Sequence, residues 1–207
     1  MLRSGTAEAI SLLDFFPHTP LAARRDGQAV VEEIFADFGT ATQAFHIGAG
    51  TTATPGFFSG LEAIHRAGAS IAMTDLVAPA ARAARDGVVM TDFQHHLATV
   101  VRPILTATAQ AAALFAPEGE VLAAGHTFTN PGLADALELL ATEGFATSNV
   151  GEHLLHLQQD GGHLTRADLD SYEVVARSPL DVRIGDTTVF MNPLPAASGV
   201  LVAHSLG

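Results

Sequence analysis

The chain has 207 residues, 48% of them hydrophobic, which is enough for one sizeable core and too few to demand two domains. Its net charge is −12 and all of its basic residues are arginine, which argues against nucleic acid, whose phosphates are held by clustered cations. Cysteine is absent, so disulfide frameworks and thiolate metal sites are excluded, and no apolar run approaches the roughly 20 residues that span a bilayer.

In chain order, alternation over Glu8–Phe15 predicts a strand, ended where Pro17 and Pro20 remove amide donors and fix the backbone. Gln28 to Phe38 reads as a short amphipathic helix, with Val30, Val31, Ile34 and Phe38 on one stripe and Gly39 closing it. Gln43 to Ala53 reads as extended. Pro55 marks a helix start, followed by Phe57, Leu61 and Ile64 and ended near Gly68. From Thr74 to Leu114 the residues are nearly all helix-forming, with breaks at Gly87 and around Pro103. Pro131–Glu143 and Ser148–Gln159 are expected as further helices. Thr165 with Asp168 has the pattern of a capped helix start, the threonine accepting an amide bond and the acid suiting the first turn. Short β-branched runs at Ser171–Ala176, Val182–Ile184 and Thr187–Met191 predict strands before a final helix from Ser198. No repeat or linker divides the chain, so residues 1–207 are expected to form a single α/β (α+β) domain.

Several constellations invite chemistry and have plainer explanations. His153 and His156 are spaced for one helix face and His95 adjoins His96, but no HExxH or comparable pattern supplies a third metal ligand. Gly48-Ala49-Gly50-Thr51-Thr52-Ala53 matches a dinucleotide-binding fingerprint, with Asp75 further on, yet Pro55-Gly56 place the helix start too late for a pyrophosphate. The segment is better explained as a small-residue strand packed closely against a neighbour, with Thr51 in it. Ser198 lacks a nucleophile elbow and suits a helix N-cap.

Two motifs near the end stand apart. Gly161-Gly162-His163-Leu164-Thr165-Arg166-Ala167-Asp168-Leu169-Asp170-Ser171-Tyr172 comes first, and Pro193-Leu194-Pro195-Ala196-Ala197-Ser198-Gly199 follows. Upstream lie Asp14-Phe15-Phe16-Pro17-His18-Thr19-Pro20, Thr51-Thr52-Ala53-Thr54-Pro55-Gly56, Leu76-Val77-Ala78-Pro79-Ala80-Ala81-Arg82 and Asn130-Pro131-Gly132-Leu133-Ala134. In this order the motifs resemble the large subunit of γ-glutamyltransferases, members of the N-terminal-nucleophile hydrolases.

The resemblance implies that the chain, mostly helical with a few strands at its two ends, is part of an αββα sandwich. It implies a small subunit as partner, beginning with a catalytic threonine beyond Gly207 and completing a site for amide acyl transfer or hydrolysis of the glutathione hydrolase type. No cofactor or metal belongs to that chemistry, and the partners are a small-molecule amide and the small subunit, with neither nucleic acid nor membrane. Phe16 stands where the family has an arginine that binds the γ-glutamyl α-carboxylate, so Phe16 and Thr19 are the expected substrate neighbours. The family's large subunit is longer, with residues preceding Met1, where Met1-Leu2-Arg3-Ser4-Gly5 reads like the middle of a strand-turn-strand. A leader would lie there too, so the location stays open between periplasm and cytoplasm.

Overall fold

The computed structural model describes residues 2–3, 10–24 and 29–206. The first half runs β1 (Leu2–Arg3), β2 (Ile10–Asp14), β3 (Glu32–Asp37), β4 (Thr42–Ile47), a 3₁₀ turn (Ala49–Thr51), α1 (Phe57–Gly68), α2 (Met73–Asp86), β5 (Val88–Val89) and α3 (Asp92–Val100). It continues with α4 (Arg102–Leu105), α5 (Ala109–Phe115), β6 (Thr127–Phe128), α6 (Pro131–Glu143), α7 (Asn149–Leu157), α8 (Arg166–Asp170), β7 (Val175–Arg177), β8 (Leu180–Ile184), β9 (Thr187–Met191) and α9 (Ala197–Leu206). These elements sort into two compact units: Met1–His18, Pro55–Ala69 and Tyr172–Gly207 form the first, Thr19–Thr54 and Ser70–Ser171 the second.

In the first unit β2 pairs antiparallel with both β1 and β7, setting Leu12 opposite Arg177 and Asp14 opposite Val175. The strand expected over Glu8–Phe15 is Ile10–Asp14, and Glu8 and Ala9 lie outside the described residues, as do Ser4, Gly5 and Gln28 of the other expected segments. The helix expected from Pro55 begins at Phe57 and ends at Gly68 as read. β8 and β9 form a hairpin, and α9 follows it. The strand expected over Ser171–Ala176 is confined to Val175–Arg177, because Ser171 closes α8 instead.

The second unit corrects the helix expected over Gln28–Phe38. Glu32–Asp37 is a strand paired along its length with Thr42–Ile47. Alternation explains it: Ala36 is buried and Ile34 half-buried, while Glu33, Phe35 and Asp37 are exposed. Gly39, at φ 84°, makes the turn, and its amide donates to Asp37 Oδ1 at 2.8 Å. A glycine with positive φ serves a hairpin turn as readily as a helix end, so the β-branched and aromatic content decides.

Close backbone approach organises the rest of this unit. The Gly48–Ala53 segment is a 3₁₀ turn rather than a strand, and Thr51 Oγ1 donates to the Gly48 carbonyl at 2.8 Å. The expected tight packing is present: a side chain at Gly48 or Gly50 would collide with Val30 or Ala29. Helices α2 and α6 meet through Ala81 and Ala134, both almost fully buried, and Arg85 of α2 donates to Asp135 and Glu138 of α6. The Pro131–Glu143 helix has its expected bounds, with Asn130 as its cap.

Candidate functional site

The first unit holds a cavity of about 810 Å³. One wall is the chain leaving β2, Leu12 to Pro17, and another is Pro55–Phe57 at the entrance to α1. From the far end of the sequence come Arg177 of β7, then Asn192, Pro193, Pro195 and Ala196–Ser198 at the start of α9. The Asp14–Pro20 and Pro193–Gly199 motifs, more than 170 residues apart, therefore share one space.

Beyond the end of the β2–β7 ladder, side chains hold the backbone at Phe16. Asp14 Oδ1 accepts the Phe16 amide at 3.1 Å, and Oδ2 accepts Arg177 Nε at 2.6 Å. Asp14 and Arg177 lie diagonally across the β2–β7 pair, the second-nearest cross-strand distance, which long side chains can bridge. The Tyr172 hydroxyl donates to the Phe16 carbonyl at 3.0 Å, and its ring lies 4.7 Å from that of His18. Phe15 packs against α1 where Gly60 leaves room; a side chain at 60 would run into the ring. Gly56 likewise leaves the space that the Tyr172 hydroxyl occupies, and Gly199 lets α9 start against the Asn192 carbonyl.

Electrostatically the cavity is quiet. Asp14 and Arg177 are the charged residues of its lining among those described, and they neutralise each other. Burial works to raise the Asp14 carboxyl, but the Phe16 amide and Arg177 outweigh it and hold the group below its ordinary range. Burial, and behind it the negative charge of Asp14, pushes the Tyr172 phenol up. Ser198 is the hydroxyl-bearing residue of the lining, yet no histidine accompanies it there.

Of the expected site residues, Phe16 lines the cavity with its side chain 70% exposed. Thr19 is exposed, belongs to the second unit and is not part of that lining. Sequence reasoning missed Asp14, Tyr172, Arg177 and Asn192. Asp14 and Tyr172 stood within the quoted motifs, whereas Arg177 carried no signal, because its pairing is set by strand register.

The second unit contains a comparable clamp with a different role. Asp168, 2% exposed, accepts the Leu21 amide at 2.6 Å, and through Oδ2 the Thr165 amide and hydroxyl at 2.7 and 2.6 Å. Burial favours the protonated acid, and these donors reverse it, holding the carboxyl below its usual range. The Thr165–Asp168 pattern is thus a helix start that also fastens residue 21. Of the histidines, His95 Nδ1 meets the Leu122 carbonyl at 3.0 Å. Among the described residues no group of three His, Asp or Glu converges, and no helix is long and apolar enough to cross a membrane.

Residues 8–207 match the family model for gamma-glutamyltranspeptidase. The glutathione hydrolase proenzyme of Escherichia coli (strain K12) is 30% identical over 166 residues, 78% of this chain and 28% of the relative. The acylase ACY 1 proenzyme of Pseudomonas sp. (strain V22) is 28% identical over 165 residues, 77% of this chain and 29% of the relative. The chain thus spans less than a third of the length of these two curated relatives. The crystal structure of Helicobacter pylori gamma-glutamyltranspeptidase superposes with a TM-score of 0.76 at 22% identity, covering 92% of this chain and 54% of that one. The fold is accordingly the mixed helix-and-strand fold seen in that structure, with paired strands also away from the two ends, Glu32–Asp37 with Thr42–Ile47 and Val88–Val89 with Thr127–Phe128.

Proposed function

The chain belongs to the γ-glutamyltranspeptidase family, and we propose that it forms the large-subunit wall of an amide acyl-transfer site of the glutathione hydrolase type. The reacting group is then the N-terminal threonine of a small subunit, whose α-amine serves as its base. The threonine oxygen attacks the amide carbonyl, the leaving amine departs with a proton, and the acyl group passes from the enzyme to water or to an acceptor amine. What this chain contributes is the space in which the acyl group sits.

The observation that carries this proposal is the meeting of Phe16 with Pro195 and Ser198 around one cavity. At position 16 the family's arginine would grip a carboxylate through a bidentate pair worth a few kcal/mol. A phenyl ring offers no such grip and rewards contact with apolar surface instead. We therefore assign to this site an acyl group more apolar than glutamate. The naming of one relative as an acylase supports variation in the acyl group within the family.

Helix α9 supports the small-subunit partner. Apart from Ser198, Gly199, His204 and Ser205 its residues are apolar, and Val200, Leu201, Val202 and Leu206 are exposed, a surface of the kind that another chain covers. Mass spectrometry of the protein expressed from its whole locus tests the assignment. Two chains, the second beginning with Thr, are expected; one uncut species would give the chain a non-catalytic role.

A further inference from the structure

We propose that Tyr172 is a positioning residue for the acyl site, setting where the Phe16 ring stands; this rests on the role assigned to Phe16 above. Phe16 borders the cavity and is 70% exposed, so its own packing does not fix the direction of its ring. Its backbone does. The amide donates to Asp14 and the carbonyl accepts from Tyr172, so both ends of the residue are tied, the first by a charged group and the second by a neutral one.

The Tyr172 tie is built from three separate parts of the sequence. Gly56 is one, because any side chain there would collide with the Tyr172 hydroxyl and with the Phe15 carbonyl. His18 is another, its ring stacked at a tilt of 40° on that of Tyr172 two residues beyond Phe16. The third is the connection from α8 into β7, which delivers Tyr172 to this point. A Pro-Gly pair, the Asp14–Pro20 segment and the Gly161–Tyr172 motif therefore converge on a single carbonyl. The tyrosine does not line the cavity, and its influence on a ligand passes through Phe16.

The test is a double-mutant cycle in the full-length protein, with phenylacetamide as the apolar amide and L-glutamine as the charged one, their affinities read by titration calorimetry. Tyr172→Phe keeps the ring and its stacking and removes only the hydroxyl. It should weaken phenylacetamide about fivefold, the effect of one neutral hydrogen bond, while leaving L-glutamine nearly unchanged. In a Phe16→Ala background the same substitution should change neither affinity, because there is no ring left to place. Equal losses in both backgrounds, or none in either, overturn the proposal. A second readout needs no ligand: hydrogen exchange of the peptide spanning residues 12–18 should quicken about fivefold in Tyr172→Phe at unchanged global stability. Unchanged exchange overturns the tie. A wild type that binds neither amide, with exchange still faster in Tyr172→Phe, would sink the acyl-site assignment and leave the tie standing.

Discussion

The second unit buries Val121, Leu140, Phe145, Leu164 and Leu169, whereas in the first unit Leu12 is the single buried apolar side chain among the described residues. Large apolar side chains are exposed in both, among them Phe16, Phe57, Leu194, Leu201 and Val202 in the first and Leu21, Phe35, Val89 and Phe93 in the second. Hydrophobic burial is the main favourable term in folding, so most of that stabilisation lies in the second unit, while the first relies more on strand pairing and directed polar ties. The two aspartate clamps repeat the contrast. Asp168 fastens a buried helix start with neutral donors, and Asp14 fastens an exposed aromatic with an arginine. The cavity lies in the unit with the smaller buried core.

The largest expected effect lies in the core. Phe145→Ala in the second unit should cost about 4 kcal/mol by chemical denaturation, from lost burial and the cavity left behind. A cost under about 1 kcal/mol would remove the contrast between the units. Next come the clamps. Asp168→Asn should cost about 2–3 kcal/mol at neutral pH, because an amide nitrogen would face donors that the carboxylate now satisfies. Both aspartates titrate lower in the folded chain than in the unfolded one. Their contribution is therefore complete above about pH 4 and is lost as the pH falls through the lower folded values. Thermal unfolding from pH 7 to pH 3 should show wild-type stability declining over the acid limb and a flatter decline in Asp168→Asn; parallel curves would contradict the sign. At the small end, Leu201→Ala on α9 should change the stability of this chain alone by no more than about 0.5 kcal/mol. The same substitution in a two-subunit protein should cost 2 kcal/mol or more, the ordinary range for a buried leucine.

Much of the fold was legible where local chemistry is decisive. Pro131 at a helix start with Asn130 before it fixed α6, and the β-branched run Thr187–Met191 fixed β9. The β3–β4 hairpin was misread because four apolar residues over Val30–Phe38 satisfy a helical stripe as well as a strand, and only pairing with Thr42–Ile47 distinguishes them. The cavity was legible in part. Phe16 was visible as a departure inside a motif, while Arg177 reaches Asp14 through strand register, and Tyr172 reaches Phe16 through a gap left by Gly56. Neither contact has a fixed sequence spacing, so neither can be read before the chain is folded.

The central claim is that Phe16 sets the acyl group, and the direct measurement is the selectivity of the full-length protein between a γ-glutamyl anilide and an uncharged acyl anilide, compared with Phe16→Arg. The wild type should favour the uncharged acyl group, and Phe16→Arg should shift kcat/KM toward the γ-glutamyl substrate by about 30-fold, roughly what a bidentate guanidinium–carboxylate pair supplies. A wild type that hydrolyses the γ-glutamyl anilide well and the uncharged analogue poorly, with a ratio that Phe16→Arg leaves unmoved, would contradict it.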